Sequence, residues 1–276
     1  MKPVRPVLLG AFAAVLLALA GGAGVILLRG PEAEAASDAL PLPPDVPRLA
    51  TGPEYERCLS LLRSDPDEAR TTAEAWAIAG GGEGAQHCLA LALLATGDAP
   101  RAAERLEQLA RTGRGSQMAR AAVFGQAVQA WMLAGETGRA FAAATMGLTL
   151  APTDTELLLD RAVALGTLGR YAEALEDVNQ VLALDADRAE AWVFRAAAQR
   201  HLDRVEEATK DVARALTLAP ENAEALLERG ILRQLKGDSA AARQDWEKAI
   251  SLAPDSATAD LAMQNLALNE AGPLRR

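Results

Sequence analysis

The chain has 276 residues, of which 50% are hydrophobic, 24% are charged and only 4% are aromatic. Alanine, the residue with the highest helix propensity, dominates the apolar set, so the composition predicts an all-α protein. A net charge of −9 excludes a basic nucleic-acid-binding domain. The two cysteines and two histidines have no metal-ligand spacing, which excludes a zinc site. We expect no cofactor.

Residues 7–28 form an uncharged apolar run, VLLGAFAAVLLALAGGAGVILL, after a short basic segment at residues 1–6. As a helix this run would be about 33 Å long, which is enough to cross the core of a bilayer. The length favours an uncleaved transmembrane anchor, because a cleaved signal peptide has an apolar stretch of about 7–15 residues. The sequence Ala18-Leu19-Ala20 keeps the cleaved alternative open, since it has the A-x-A pattern of a cleavage site.

The charges around this run predict its orientation. Lys2 and Arg5 precede it, and only Arg29 follows before the first acidic residues, so the positive-inside rule places the N-terminus in the cytoplasm. We therefore expect a single-pass protein of the bacterial inner (cytoplasmic) membrane with a periplasmic C-terminal domain. If the segment is cleaved, the domain is instead secreted to the periplasm. Residues 29–53 contain six prolines and are predicted to form an extended linker.

A period of 34 residues starts at Ala121 and continues without gaps through four blocks, 121–154, 155–188, 189–222 and 223–256. Equivalent positions carry the same kind of residue, as in the columns Ala140, Ala174, Ala208, Ala242; Leu150, Leu184, Leu218, Leu252; and Gly135, Gly169, Asp203, Gly237. Small residues let two antiparallel helices cross closely, and a glycine can end the first helix in a left-handed cap. Each block is therefore predicted to be one helix pair.

This pattern resembles the tetratricopeptide-repeat (TPR) family, which has small residues at repeat positions 8 and 27, glycine at 15, alanine at 20 and proline at 32. The resemblance implies a right-handed α-solenoid of antiparallel helix pairs. Upstream, two helices at 54–63 and 66–79 and a degenerate block at 83–116 make residues 54–116 an irregular TPR-like region. Residues 257–270 are predicted to form the capping helix that a solenoid needs at its open end.

The resemblance also implies that the first helices of the blocks line a concave groove for a protein or peptide. The residues expected there are apolar Leu159, Val163, Val193, Phe194, Ala197, Leu227 and Ile231, with polar Arg200, Glu190 and Glu224 beside them. An apolar floor with an acidic rim suits an apolar segment or one flanked by basic residues. In the alternative interpretation, these side chains pack against neighbouring repeats.

Two columns of charge accompany the repeat: Arg161, Arg195 and Arg229 on the first helices, and Asp177, Asp211 and Asp245 on the second. Both columns are missing from block 121–154, which favours structural ion pairs over an anion-binding ladder. Cys58 and Cys88 fall on the first and third helices of the irregular region, and alternate helices are neighbours in a TPR array. They form either a disulfide, which an oxidising compartment would allow, or two buried thiols.

No catalytic motif accompanies these features. The glycine-rich segment at 80–84 lacks a phosphate-binding lysine, and His87 and Cys88 would point about 100° apart on a helix. We predict a non-catalytic, membrane-tethered interaction scaffold with no small-molecule substrate. The alternative is a periplasmic chaperone or assembly factor that holds exported clients, for example in cytochrome maturation or envelope assembly.

Overall fold

The computed structural model describes residues 48–271, with side chains described to residue 269. The predicted membrane segment at 7–28, the residues before it and all but the end of the predicted linker lie outside this part of the chain. Among the helices that are described, none has both the length and the apolar character needed to cross a membrane.

The described residues form thirteen α-helices and no strand, in agreement with the all-α prediction. The helices are α1 (Pro53–Ser64), α2 (Pro66–Ile78), α3 (Gly82–Ala95), α4 (Ala99–Thr112), α5 (Gln117–Leu133), α6 (Thr137–Leu150), α7 (Thr155–Thr167), α8 (Tyr171–Leu184), α9 (Ala189–His201), α10 (Val205–Leu218), α11 (Ala223–Leu235), α12 (Ser239–Leu252) and α13 (Ala257–Ala271).

Each helix packs against the next one in the chain, and the short turns between them make neighbours antiparallel. From α5 to α13, every odd-numbered helix also contacts the next odd-numbered helix, as α1 does with α3. The even-numbered helices have no comparable contact with one another within residues 48–271. The odd-numbered helices therefore form the inner layer of a curved solenoid, and the even-numbered helices form its outer layer.

The local signals in the sequence explain where the helices begin and end. The Asp65 side chain accepts a hydrogen bond from the backbone N–H of Glu68 at 3.0 Å, so it caps α2 one residue before Pro66. The turns between paired helices use left-handed residues with φ of 76° at Gly135 and 60° at Asp203. An aspartate tolerates this conformation less well than glycine but better than most residues.

Two neighbouring residues of block 223–256 differ in size from their equivalents in the preceding block, and the two differences compensate each other. At Gly230 a β-carbon would lie 2.3 Å from Nε1 of Trp246, so only glycine leaves room for the indole ring. The preceding block has Ala196 and Val212 at these two positions. Trp246 is 1% exposed, and its N–H donates to the carbonyl of Leu227 at 3.2 Å. The indole ring of Trp246 thus fills the space that the missing side chain of Gly230 leaves.

The two charge columns meet within each block as bidentate pairs. Arg161 donates to both carboxylate oxygens of Asp177 at 2.7 Å. Arg195 does the same to Asp211 at 2.7 and 2.9 Å, and Arg229 to Asp245 at 2.9 and 2.7 Å. Each pair joins the first helix of a block to its second helix. Because the aspartates are buried, the arginines neutralise charge that would otherwise be costly to enclose.

Cys58 on α1 and Cys88 on α3 are joined in a disulfide, with their α-carbons 6.2 Å apart. This separation lies in the range that disulfides span. The bond links two inner-layer helices through cysteines that are 30 residues apart in sequence. It therefore fastens the first described helix to the body of the solenoid.

Candidate partner-binding face

The inner face is built by the first helices of the repeats, but its predicted apolar floor is closed. The exposed fraction is 6% or less for all seven predicted floor residues, Leu159, Val163, Val193, Phe194, Ala197, Leu227 and Ile231. Each inner helix packs against a neighbour on both sides and against its own partner helix, so these side chains fill interfaces between helices. The expectation that they form an open floor is wrong, and packing between repeats accounts for them.

Polar side chains of the inner helices α1, α3 and α5 hydrogen-bond to one another, and two of them, Tyr55 and His87, are buried. The Tyr55 hydroxyl donates to Nδ1 of His87 at 2.5 Å, and His87 Nε2–H donates to Oε1 of Gln126 at 2.6 Å. Burial lowers the pKa of His87, against the opposing effect of its bond to Gln126, and the imidazole is neutral. Burial also raises the pKa of the Tyr55 hydroxyl. This neutral ladder links the inner helices α1, α3 and α5.

The inner face of α7, α9 and α11 is different, because it carries four carboxylates. We call Glu156, Asp160, Glu190 and Glu224 the acidic stripe. Glu156 and Asp160 belong to α7, whereas Glu190 lies on α9 and Glu224 on α11. Three of them stand at the same repeat position, 34 residues apart, and Asp160 lies one turn after the first.

Asp160 is the most strongly perturbed member of the stripe. Its Oδ2 would lie 3.8 Å from a β-carbon on Gly125, so the carboxylate packs against α5 where glycine leaves space. Burial, followed by repulsion from Glu156, Glu190 and Asp154, raises its pKa to about 8. No described residue makes a hydrogen bond to its side chain. Asp160 thus holds a proton at neutral pH, and a cation that arrives on this face would favour loss of that proton to water.

One cation of the chain, Arg188, pairs with two of the other three members. Arg188 donates to Glu156 at 2.7 Å and to Glu190 at 3.4 Å. Burial and repulsion from Glu156 and Glu224 raise the pKa of Glu190, although Arg188 opposes this shift. The Glu224 carboxylate accepts a hydrogen bond from the Thr258 hydroxyl at 3.4 Å. The stripe therefore keeps more negative charge than its neighbours neutralise.

Arg200, predicted as a groove residue, is not available to a partner. It is 7% exposed, and its Nε donates at 2.5 Å to Oε1 of Glu228, which is fully buried. The pair ties α9 to α11 across the inner layer. Next to it, His201 stacks on Tyr171 with ring centroids 4.2 Å apart. Burial and the charge of Arg200 lower the pKa of His201 to about 4, so it adds no positive charge to the face at neutral pH.

The sequence indicated part of this arrangement. Glu190 and Glu224 were predicted on the rim, and they lie partly exposed on the inner face. The hydrogen bond between Tyr55 and His87 was missed, because the two residues lie outside the regular 34-residue register. Among the described residues no group of three or more histidine, cysteine or acidic side chains is placed to hold a metal ion.

The comparisons with known proteins address the fold. Residues 155–188 match the tetratricopeptide repeat family, and the matched segment has the bounds of one predicted block. The structure is similar to MamA 41-end from Desulfovibrio magneticus RS-1, with a TM-score of 0.51, 18% identity and coverage of 74% of this chain and 97% of that chain. The chain is a tetratricopeptide-repeat protein.

Other TPR structures give similar matches. Cut9 in the APC/C hetero-tetramer Cut9–Hcn1 matches with a TM-score of 0.59 and 16% identity, over 77% of this chain and 42% of that chain. The first TPR of Spaghetti (RPAP3), bound to the HSP90 peptide SRMEEVD, is 32% identical over 42% of this chain and 93% of that chain, with a TM-score of 0.41. No curated protein matches the sequence. The TPR repeats thus establish the architecture, and the side chains must supply the argument for function.

Proposed function

We propose that this TPR protein is a non-catalytic scaffold that binds a protein segment on its inner face, and that the segment contributes basic side chains. The acidic stripe carries the proposal. Its carboxylates line up across three successive inner helices and exceed the cations that face them. Burial and then mutual repulsion raise the pKa values of Asp160 and Glu190, and a basic side chain on the face would relieve the repulsion.

The closed apolar floor refines the kind of partner. A groove lined by polar groups at the repeat spacing suits an extended or helical segment whose charges follow the stripe. Because the floor residues are already buried in the free protein, apolar anchoring contributes little, and binding should depend on salt concentration. The neutral ladder lies on α1, α3 and α5, whereas the acidic stripe lies on α7, α9 and α11. The basic end of the segment should therefore bind over α7, α9 and α11.

The proposal also includes a tether. The uncharged run at 7–28 has the length of a membrane-spanning helix, and the basic residues before it favour a cytoplasmic N-terminus. In that topology the repeats lie on the periplasmic side of a bacterial inner membrane, at the end of a proline-rich linker. A disulfide between Cys58 and Cys88 is compatible with that oxidising compartment.

Site-specific photo-crosslinking in intact membranes tests the binding face. The crosslinker replaces Thr167, an exposed residue on inner helix α7, and in a parallel sample it replaces Glu176, an exposed residue on outer helix α8. We expect one dominant adduct from position 167 and none from position 176. Mass spectrometry of the adduct then identifies the bound segment, which should contain at least one lysine or arginine.

Other outcomes separate the alternatives. A broad smear of adducts from position 167 would indicate a chaperone that holds many exported clients. An adduct from position 176 alone would place the binding surface on the outer layer and contradict the proposal. Protease protection of the full chain in spheroplasts tests the tether independently, since the repeats should be digested only from the periplasmic side.

A further inference from the structure

A cavity of about 390 Å³ lies between α10 and α11. Outer helix α10 contributes Thr209, Val212, Ala213, Leu216 and Thr217, and α11 contributes Arg229, Leu232, Arg233 and Lys236. One wall is therefore apolar, whereas the base carries three cations. The cavity is separate from the acidic stripe, because no residue of the stripe lines it.

The preceding block shows why the cavity exists. Thr209 and Ala213 take the positions that Leu175 and Asn179 hold between α8 and α9. There, Leu175 is buried, and Asn179 Oδ1 accepts a hydrogen bond from Nη1 of Arg195 at 3.0 Å. Replacing both side chains by smaller ones opens space beside the next arginine. The same repeat register thus contains a filled site and an open one.

The smaller side chains leave a donor without a partner. Arg229 occupies the position of Arg195 and uses Nε and Nη2 for Asp245, but Nη1 makes no hydrogen bond within residues 48–271. The exposed fraction of its side chain is 35%, compared with 21% for Arg195. An arginine that faces a cavity with an unused N–H is a ready donor to an anion.

The cavity also has excess positive charge. Asp245 accepts hydrogen bonds from Arg233 at 2.7 Å as well as from Arg229, so two arginines share one carboxylate. The residue at the position of Arg233 in the preceding block is Gln199, which is neutral. Among residues 48–271, Lys236 pairs only with Glu206, 80% of whose side chain is exposed. One negative charge placed here would be compensated rather than repelled.

We propose that this cavity binds a carboxylate carried on a short apolar stem. The carboxylate accepts hydrogen bonds from Arg229 Nη1 and from Arg233, while the stem packs on Val212, Leu216 and Leu232. Two sources have this chemistry: a free aliphatic acid and the C-terminal carboxylate of a peptide that ends in an apolar residue. The inference is independent of the proposed function, since the cavity and the acidic stripe share no residue.

Methyl NMR titration of the protein tests the site with two probes, hexanoate and acetyl-Gly-Leu. We expect saturable shifts of the Val212, Leu216 and Leu232 methyl groups with a Kd on the order of millimolar, as for other ligands of this size. The Leu175 and Val178 methyl groups at the filled site should not shift. Hexanamide and acetyl-Gly-Leu-amide, which lack the charge, should bind about tenfold more weakly or not at all.

A variant copied from the chain itself provides the decisive control. Thr209→Leu together with Ala213→Asn restores the side chains of the preceding block, which fill the cavity and engage Arg229. We expect this variant to remain folded and to lose the shifts from both probes. Stronger binding of one probe identifies the source of the carboxylate. Unchanged binding by the variant, equal binding of the amides or no shift with either acid would overturn the proposal.

Discussion

Helices α1–α6 and α7–α12 use different side chains at equivalent positions of the same architecture. Block 121–154 has Ala127 and Ala143, both fully buried, where the next block has the ion pair of Arg161 and Asp177. The first half also carries the neutral ladder and the disulfide, whereas the second carries the acidic stripe and the cationic cavity. The comparison indicates that apolar packing can stand in place of an ion pair, so the ion pairs serve structure. The acidic stripe and the cationic cavity both lie in the second half.

The largest expected effect concerns the disulfide, which has no counterpart in the second half. Cys58→Ser with Cys88→Ser should lower the free energy of opening α1 by about 3–4 kcal/mol, because the bond closes a loop of 30 residues. Hydrogen exchange should accelerate in α1 and remain unchanged in α9–α12. Equal acceleration in both halves would mean that the solenoid unfolds as one unit.

The ion pair gives the next largest effect and tests interchangeability. Arg161→Ala leaves the buried Asp177 carboxylate without its cation and should reduce the free energy of unfolding by about 2–3 kcal/mol. Arg161→Ala with Asp177→Ala copies block 121–154 and should recover most of that loss. Urea denaturation measures both variants. If the double variant is less stable than the single one, the two blocks are not equivalent.

The acidic stripe should also cost stability as it ionises. The pKa of Asp160 is raised to about 8, so the folded state holds a proton that the unfolded chain releases near pH 4. Its stabilising effect is complete below pH 4 and is lost as pH rises toward 8. Asp160→Asn should therefore be more stable than the parent by about 1–2 kcal/mol at pH 8, with a smaller difference at pH 5.

Thermal unfolding of both proteins across this pH range isolates the effect of Asp160. The lowered pKa values of His87 and His201 act in the other direction, since they reduce stability as pH falls below about 6.5. Both proteins share these histidines, so their contribution cancels in the difference. A difference that does not depend on pH would show that Asp160 is ionised throughout.

The smallest expected effect is at the turns. Asp203 holds the left-handed conformation that glycine holds at Gly169 and Gly237. Asp203→Gly should change the free energy of unfolding by only about 0.5 kcal/mol, because relief of the strained backbone is offset by the greater entropy of glycine in the unfolded chain. Gly169→Asp is the reverse test and should destabilise by a similar amount in urea denaturation.

The sequence predicted the architecture because the same pattern of helix pair and turn occurs in four successive 34-residue blocks. The left-handed turns and the partners of the three arginines all follow from columns 34 residues apart. The open apolar floor was predicted wrongly, since periodicity identifies the face of a helix but not how closely the next inner helix covers it. Phe194 illustrates this: it lies on the predicted face and is 3% exposed.

Features that depend on departures from the repeat were beyond sequence reasoning. The cavity beside Arg229 requires two small residues on α10 and a second arginine at position 233, and each change looks unremarkable in its own column. The contact between Gly230 and Trp246 has the same character, because a lost side chain in one helix is matched by a larger one in its partner. Only the packed structure brings these pairs together.

The most direct test of the central claim is a calorimetric titration with the segment identified by crosslinking from position 167. It compares the parent protein with Glu156→Gln/Glu190→Gln/Glu224→Gln and with a charge-matched outer-face control, Glu173→Gln/Glu207→Gln/Glu247→Gln. The stripe variant should bind roughly 10- to 100-fold more weakly, and the control should bind as the parent does. Equal weakening in both variants, or none in the stripe variant, would contradict recognition by the inner acidic face.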